Sequence, residues 1–284
     1  MTTSPKVSIL DLQQKKAEAQ PITMLTAYDY PGALLVDEAG IDLILVGDSL
    51  AMTVLGHPNT VSVTMDEMLH HCKAVARGAR RAFLIGDMPF MSYQIERSEA
   101  VRNAGRFLKE GNMDAIKLEG GREVAETIQA IAAAGIPVMG HLGLTPQTAT
   151  KLGGFKVQGK TAAAAQRLLE DALILQEAGC FAIVLEAVPA VVAQTVSQKL
   201  TIPTIGIGAG PHCDGQVLVF HDLLGLFDRF TPKFVKRYAD LRQPILEALR
   251  AYRQEVEARE FPDAAHSFNI NEAELQLFLY GGQA

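Results

Sequence analysis

Eight short, almost wholly apolar runs recur along the chain, each separated from the next by a segment of helical pattern. They fall at Ile22–Ala27, Leu43–Gly47, Phe83–Gly86, Ala115–Leu118, Val138–Gly140, Ala182–Leu185, Thr204–Ile207 and Val217–Phe220. Runs of this kind read as strands buried on both faces, as in a parallel sheet. Their alternation with helices favours a (β/α)8 TIM barrel over an open sheet of six to eight strands. A barrel takes roughly 250 residues. The 284 residues of this chain therefore suit one domain over 1–284, with a strand–helix core at about 22–252. A short N-terminal helical extension and a C-terminal helical region complete the expected fold.

Local signals agree with this plan. Glycines at 40, 111, 135 and 179 are placed to stop helices just before a strand. Thr64 and Glu67 have capping-box spacing. Ser98 is expected to cap the helix running to Lys109, and Pro189 to sit in a first helical turn. Pro244 is expected to interrupt the C-terminal helical region. Two connections, Ser49–Val63 and Leu142–Lys160, are long enough to be lids or binding loops.

Four of the apolar runs end in an acid: Asp48, Asp87, Glu119 and Glu186. A lone acid after a strand is commonly a helix N-cap. In a barrel, however, all strand ends meet at one mouth, so these four converge. Two carboxylates about 4 Å apart repel by roughly 4 kcal/mol at an effective dielectric of 20. Such a site needs protons, a basic partner or a cation, and all-oxygen ligands with room for water suit Mg²⁺. Lys117 lies two residues before Glu119, so strand alternation puts both inside the barrel. It is placed to hold a substrate carboxylate or balance negative charge, or to pair with Glu119. Ser49 offers a hydroxyl and a backbone N–H to an oxyanion.

Weaker features are also present. His141 ends the fifth run and is either a donor at the site or a structural histidine. Gly206-Ile-Gly208-Ala-Gly210 lacks the GxGxxG spacing of a dinucleotide loop. In a barrel it reads as a strand end that a ligand approaches closely. His70 and His71 lack metal-ligand spacing and are expected at the surface.

Composition excludes several classes. A net charge of −6 argues against nucleic-acid binding. No apolar stretch is long enough to cross a membrane, and the segment through Lys16 has no signal-like apolar core. Cys72, Cys180 and Cys213 form no CxxC pair, which points away from zinc or a disulfide framework and toward a cytoplasmic location.

The motifs resemble those of the ketopantoate hydroxymethyltransferase family. The matching segments are LVGDSLAMTVLGH from Leu45, GDMPFMSY from Gly86, AIKLEGG from Ala115, GHLGLTPQ from Gly140, GGFKVQGK from Gly153, VLEAVP from Val184 and IGIGAG from Ile205. They lie in order between about Leu25 and Lys236; the chain beyond about Arg237 is not matched. The resemblance implies a TIM barrel, one Mg²⁺ per subunit, 5,10-methylenetetrahydrofolate as co-substrate and a homo-oligomer, a decamer. It assigns Asp48, Asp87 and Glu119 to the metal, with Glu119 bound directly or through water. It assigns Asp48, Ser49, Asp87 and Lys117 to the 2-keto acid, and Glu186 to proton abstraction. Ala51 departs from the glycine common in the family after GDSL. The folate pocket is not legible, although the Gly153–Lys160 loop is a candidate.

The expected reaction adds a hydroxymethyl group to C3 of 3-methyl-2-oxobutanoate, giving 2-dehydropantoate for pantothenate synthesis. Two alternatives stand beside it. One is a related Mg²⁺-dependent barrel lyase or mutase acting on a 2-keto acid. The other is a non-catalytic metal-binding scaffold.

Overall fold

The computed structural model describes residues 5–281 apart from Leu152 and Phe230; the two ends of the expected 1–284 span lie outside the described residues. Helix α1 (Ile9–Ala17) precedes the barrel. There follow β1 (Ile22–Thr26), α2 (Tyr30–Glu38), β2 (Leu43–Val46), α3 (Leu50–Thr53), α4 (Met65–Gly78) and β3 (Phe83–Asp87). Next come α5 (Arg97–Lys109), β4 (Ala115–Glu119), α6 (Ala125–Ala133), β5 (Val138–Gly143), α7 (Ala162–Glu177), β6 (Cys180–Glu186) and α8 (Ala190–Lys199). Strands β7 (Thr204–Ile207) and β8 (Gly215–Leu218) complete the sheet, and α9 (Phe220–Leu223), α10 (Arg242–Ala258) and α11 (Glu272–Tyr280) follow. All strands are parallel, and β8 closes on β1 with Ile22 opposite Gly215. The fold is a (β/α)8 barrel with a short N-terminal helix and a C-terminal helical region.

The apolar runs are explained by two separate cores. Alternate strand residues point inward, where Met24, Leu45, Ile85, Met139, Val184 and Ile205 fill the barrel. The others point outward, where Ile44, Leu84, Ile116 and Ile183 pack against helical residues such as Leu69, Phe107 and Leu175. A strand serving both cores has no solvent face to carry polar residues. The β5–β6 pairing contains one irregularity. Val138 pairs with Cys180 but Met139 pairs with Ala182, so Phe181 is an extra residue in the ladder.

The barrel floor is closed by the N-terminal segment. Leu12 of α1 is buried among the inner core residues. Three lysines of this segment each reach an aspartate standing just before a strand. Lys6 binds Asp114 at 2.6 Å, Lys15 binds Asp42 at 2.7 Å and Lys16 binds Asp214 at 2.7 Å. Each aspartate also accepts backbone N–H groups from the neighbouring strand or its edge: Thr23 to Asp42, Leu84 to Asp114 and Thr204 to Asp214. These acids therefore fasten adjacent strands at the floor.

Several local expectations are corrected. The eighth strand begins and ends earlier than Val217–Phe220, because the Phe220 N–H turns to donate to Thr26 Oγ1 and opens α9. Ser98 does not cap α5: Glu96 holds the N-cap position, and the Ser98 hydroxyl donates to the Glu96 carboxylate. Pro244 lies in the first turn of α10, where a missing N–H is tolerated, and does not interrupt the helix. Gly111 is required by close approach, since a Cβ there would lie 2.6 Å from the Phe107 carbonyl oxygen; the left-handed residue is Asn112, at φ 54°. The Thr64 capping box forms, and Pro189 is the N-cap of α8.

Helix α10 buries no residue. Its Ile245, Leu249, Tyr252 and Val256 form an exposed apolar ridge at helical spacing. An apolar groove of about 990 Å³ runs along the flank between β1, α2 and the segment after β8.

Candidate active site

The barrel mouth gathers every residue singled out for chemistry. Asp48, Ser49, Asp87, Lys117, Glu119, His141 and Glu186 all line one cavity of about 420 Å³. Asp87, Lys117, Glu119, His141 and Glu186 lie at the C-terminal ends of β3 to β6, while Asp48 and Ser49 occupy the turn between β2 and α3. Both long connections reach the cavity, through Met52, Thr53 and Thr60 on one side and Phe155 and Val157 on the other.

Lys117 lies at the centre of the charges. Its Nζ donates to Asp87 Oδ1 at 2.7 Å and stands 3.9 Å from Glu119 Oε1, so its principal partner is Asp87. Asp87 Oδ2 accepts the Asp48 backbone N–H at 3.1 Å. Asp48, Asp87, Lys117, Glu119 and His141 are all at most 5% exposed. Burial, followed by the neighbouring Asp87 and Glu119, pushes the Asp48 carboxyl well above the usual range. Burial also raises Asp87, with Lys117 opposing and Glu119 reinforcing the shift. Burial works against the Glu119 charge too, yet His141, Lys117 and the Gln147 N–H outweigh it and lower its pKa.

His141 lies between two acids. Its Nδ1 is 3.3 Å from Glu119 Oε1 and its Nε2 is 3.3 Å from Glu186 Oε2. Neither contact has hydrogen-bond alignment, so the attraction is one of charge. Burial and Lys117 oppose protonation of the ring, but the two carboxylates lift it to about 9. The Glu186 side chain is 15% exposed against 2% for Asp87 and Glu119, which makes it more open to a bound molecule than either. Ala187 follows it in a left-handed conformation, φ 48°, an uncommon one for a residue with a Cβ.

Gln147, the last residue of the GHLGLTPQ segment but not singled out for chemistry, ties the site together from the loop after β5. Its backbone N–H donates to Glu119 Oε2 at 3.0 Å. Its side-chain Nε2 donates to Asp48 Oδ2 at 3.0 Å and to the Met88 carbonyl at 2.9 Å. Its Oε1 accepts from the Tyr93 hydroxyl at 2.8 Å, and that hydroxyl accepts the Glu119 N–H at 3.1 Å. Among the described residues, the three acids are cross-linked in this way and form no preassembled chelating cluster of His, Cys, Asp or Glu. Ser49 pairs with the Tyr28 hydroxyl at 2.8 Å.

Two glycine and histidine expectations are refined. At Gly208, φ 65°, the close neighbour is the Phe234 ring, whose Cγ would lie 2.9 Å from a Cβ; the ring forms part of the cavity wall. His71 is not simply a surface residue, because its Nδ1 is 2.6 Å from the Tyr28 carbonyl.

Comparison with known proteins adds to this geometry. Residues 6–264 match the family profile described as ketopantoate hydroxymethyltransferase. A 3-methyl-2-oxobutanoate hydroxymethyltransferase of Syntrophobacter fumaroxidans is 61% identical over 95% of each chain. Its counterpart in Oleidesulfovibrio alaskensis is 59% identical over 94% of this chain and 92% of its own. Among solved structures, phosphonopyruvate hydrolase in complex with oxalate and Mg²⁺ superposes with a TM-score of 0.60 at 16% identity, covering 97% of this chain and 95% of that one. A 2,3-dimethylmalate lyase of the PEP mutase/isocitrate lyase superfamily gives 0.55 at 15% identity, covering 94% and 93%. These two likenesses concern the fold. The sequence relatives extend over nearly the whole chain, and by them the chain belongs to the ketopantoate hydroxymethyltransferase family, as a one-carbon transferase of pantothenate biosynthesis.

Proposed function

We propose that the enzyme moves a one-carbon unit from 5,10-methylenetetrahydrofolate to C3 of 3-methyl-2-oxobutanoate with consumption of one water, giving 2-dehydropantoate and tetrahydrofolate, with one Mg²⁺ per subunit. The observation that carries this reading is the charge imbalance at the mouth. Four acids, Asp48, Asp87, Glu119 and Glu186, face two cationic side chains, Lys117 and His141, in one cavity. A dication relieves that repulsion, and a set of carboxylate oxygens suits Mg²⁺. Asp48 has an oxygen, Oδ1, outside its hydrogen bond to Gln147. Asp48 and Asp87 would hold the ion, with Glu119 bound directly or through water. When bound, Mg²⁺ withdraws electron density from the keto group and acidifies the C3 proton.

The remaining chemistry belongs to side chains. Lys117 neutralises Asp87 and supplies positive charge to a substrate carboxylate. Ser49, positioned by Tyr28, offers its N–H to the same group. Glu186 removes the C3 proton, being more open than Asp87 and Glu119 and outside the set that would hold the metal. His141 stands between Glu119 and Glu186 and helps hold Glu119 in its charged form. The cavity has room for a flat co-substrate beside the keto acid, with Phe155 of the Gly153–Lys160 loop in its wall. The exposed α10 ridge supports a homo-oligomer, and the three free cysteines fit a cytoplasmic protein.

Measuring 2-dehydropantoate formation with and without Mg²⁺ and methylenetetrahydrofolate tests the reaction directly. Product formed without the folate would reject it. Glu186→Gln should bind the keto acid yet lose exchange of the C3 proton with deuterium; normal exchange would remove Glu186 as base. Asp87→Ala should weaken both Mg²⁺ and keto-acid binding, and unchanged affinities would reject its metal role.

A further inference from the structure

Asp222 lines the same cavity as the acids at the strand ends, but it comes from α9. That short helix is firmly held. The Phe220 N–H donates to Thr26 Oγ1 at 2.9 Å, and the Leu223 carbonyl accepts the Tyr238 N–H at 2.9 Å. Asp222 is half-buried, and among the described residues no group donates a hydrogen bond to its carboxylate. Three phenylalanines, Phe155, Phe227 and Phe234, line the cavity with it. Lys233 lines the cavity too, and Arg237 is the cation whose charge acts on Asp222. Burial nevertheless raises the carboxyl to about 6.

A carboxylate without hydrogen-bond donors, set against an apolar wall, costs stability. An acid retained under those conditions is placed to receive donors from a ligand. The cavity must admit both reactants, since the one-carbon unit has to reach C3 of the keto acid near Glu186. A reduced pterin is flat and presents a ring N–H and an exocyclic amino group side by side. Two parallel donors of this kind match the two oxygens of one carboxylate. The aromatic residues supply the apolar surface that the flat ring needs. We infer that Asp222 is the specificity residue that anchors the pterin edge of the folate co-substrate through its ring N–H and 2-amino group. This deepens, and rests on, the folate reading given above.

The test compares wild type with Asp222→Asn, using 5,10-methylenetetrahydrofolate and tetrahydrofolate lacking the 2-amino group. Asp222→Asn should raise the KM for methylenetetrahydrofolate by about tenfold to a hundredfold and leave the KM for the keto acid within about twofold. Wild type should bind the desamino compound more weakly than tetrahydrofolate, and the variant should not distinguish the two. The variant should also melt about 2 °C or more higher at pH 8, because an unpartnered charge has been removed. A purely structural carboxylate would give a lower melting temperature and no such KM split. Equal folate KM values in a folded variant would overturn the assignment, as would wild type binding both folates equally, a measurement that needs no variant. Failure of wild type to use methylenetetrahydrofolate at all would instead reject the folate reading, and this assignment with it.

Discussion

Replacing Gln147 with leucine tests whether the acids at the mouth are held by hydrogen bonds or merely by packing. The two side chains are similar in size, so no large cavity opens. The loss falls on three partners: Asp48 Oδ2, the Met88 carbonyl and the Tyr93 hydroxyl. Tyr93 can recover, because the Glu119 carbonyl lies 3.1 Å from its hydroxyl. Asp48 and Met88 cannot, and each buried group left unpaired costs about 1–3 kcal/mol. Together they should cost roughly 3–5 kcal/mol. At about 2 °C per kcal/mol for a chain of this length, the melting temperature should fall by roughly 6–10 °C. Metal affinity should fall about tenfold or more, as for other groups that orient a ligand from behind. Calorimetry and Mn²⁺ titration followed by electron paramagnetic resonance measure the two effects separately. A variant melting within 2 °C of wild type, or binding Mn²⁺ equally well, would refute the argument.

Other perturbations probe the scaffold. Lys15→Ala should cost about 1 kcal/mol at neutral pH, because Asp42 keeps its bonds from Thr23 and a contact with Arg81 at 3.7 Å. Burial opposes the Asp42 charge, but Lys15 and Thr23 outweigh it and lower the pKa. The stability from the pair is therefore present above about pH 4, the unfolded value, and is lost as pH falls further. Urea midpoints for the two proteins should differ at pH 7 and converge toward pH 3; a constant difference would contradict the linkage. Gly86→Ala should destabilise by about 1–3 kcal/mol, since its Cβ would run into the buried Phe107 ring, with Cε1 at 2.8 Å. A Gly86→Ala, Phe107→Leu double variant should regain part of that loss in thermal melts.

The barrel was readable because its signal is local and repeated. Each strand is short, apolar on both faces and followed by a helix with its own stop. The four strand-end acids and Lys117 were readable for the same reason, as charges out of place in apolar runs. Gln147, Tyr93 and Tyr28 carried no such contrast. They are ordinary polar residues in connections, and only the closed fold brings Gln147 to Asp48, 99 positions away in sequence. Asp222 was hidden by the displaced end of β8, which assigned Phe220 to a strand when it begins a helix. The floor lysines escaped notice because a lysine in an amphipathic helix normally faces solvent, and their aspartates resemble ordinary loop acids.

The extra residue in β6 decides which way its acid faces. Cys180 belongs to the outer core, and simple alternation from it would send Ala182, Val184 and residue 186 outward as well. Phe181 and Ala182 instead both lie in the inner core, and from there the alternation runs Ile183 out, Val184 in, Leu185 out. Glu186 thereby arrives at the mouth on the inner side. The parity of the strand is reset once, near the barrel floor, five residues before the side chain that benefits. Deleting that single position would leave the composition of β6 almost unchanged and turn Glu186 toward the helices.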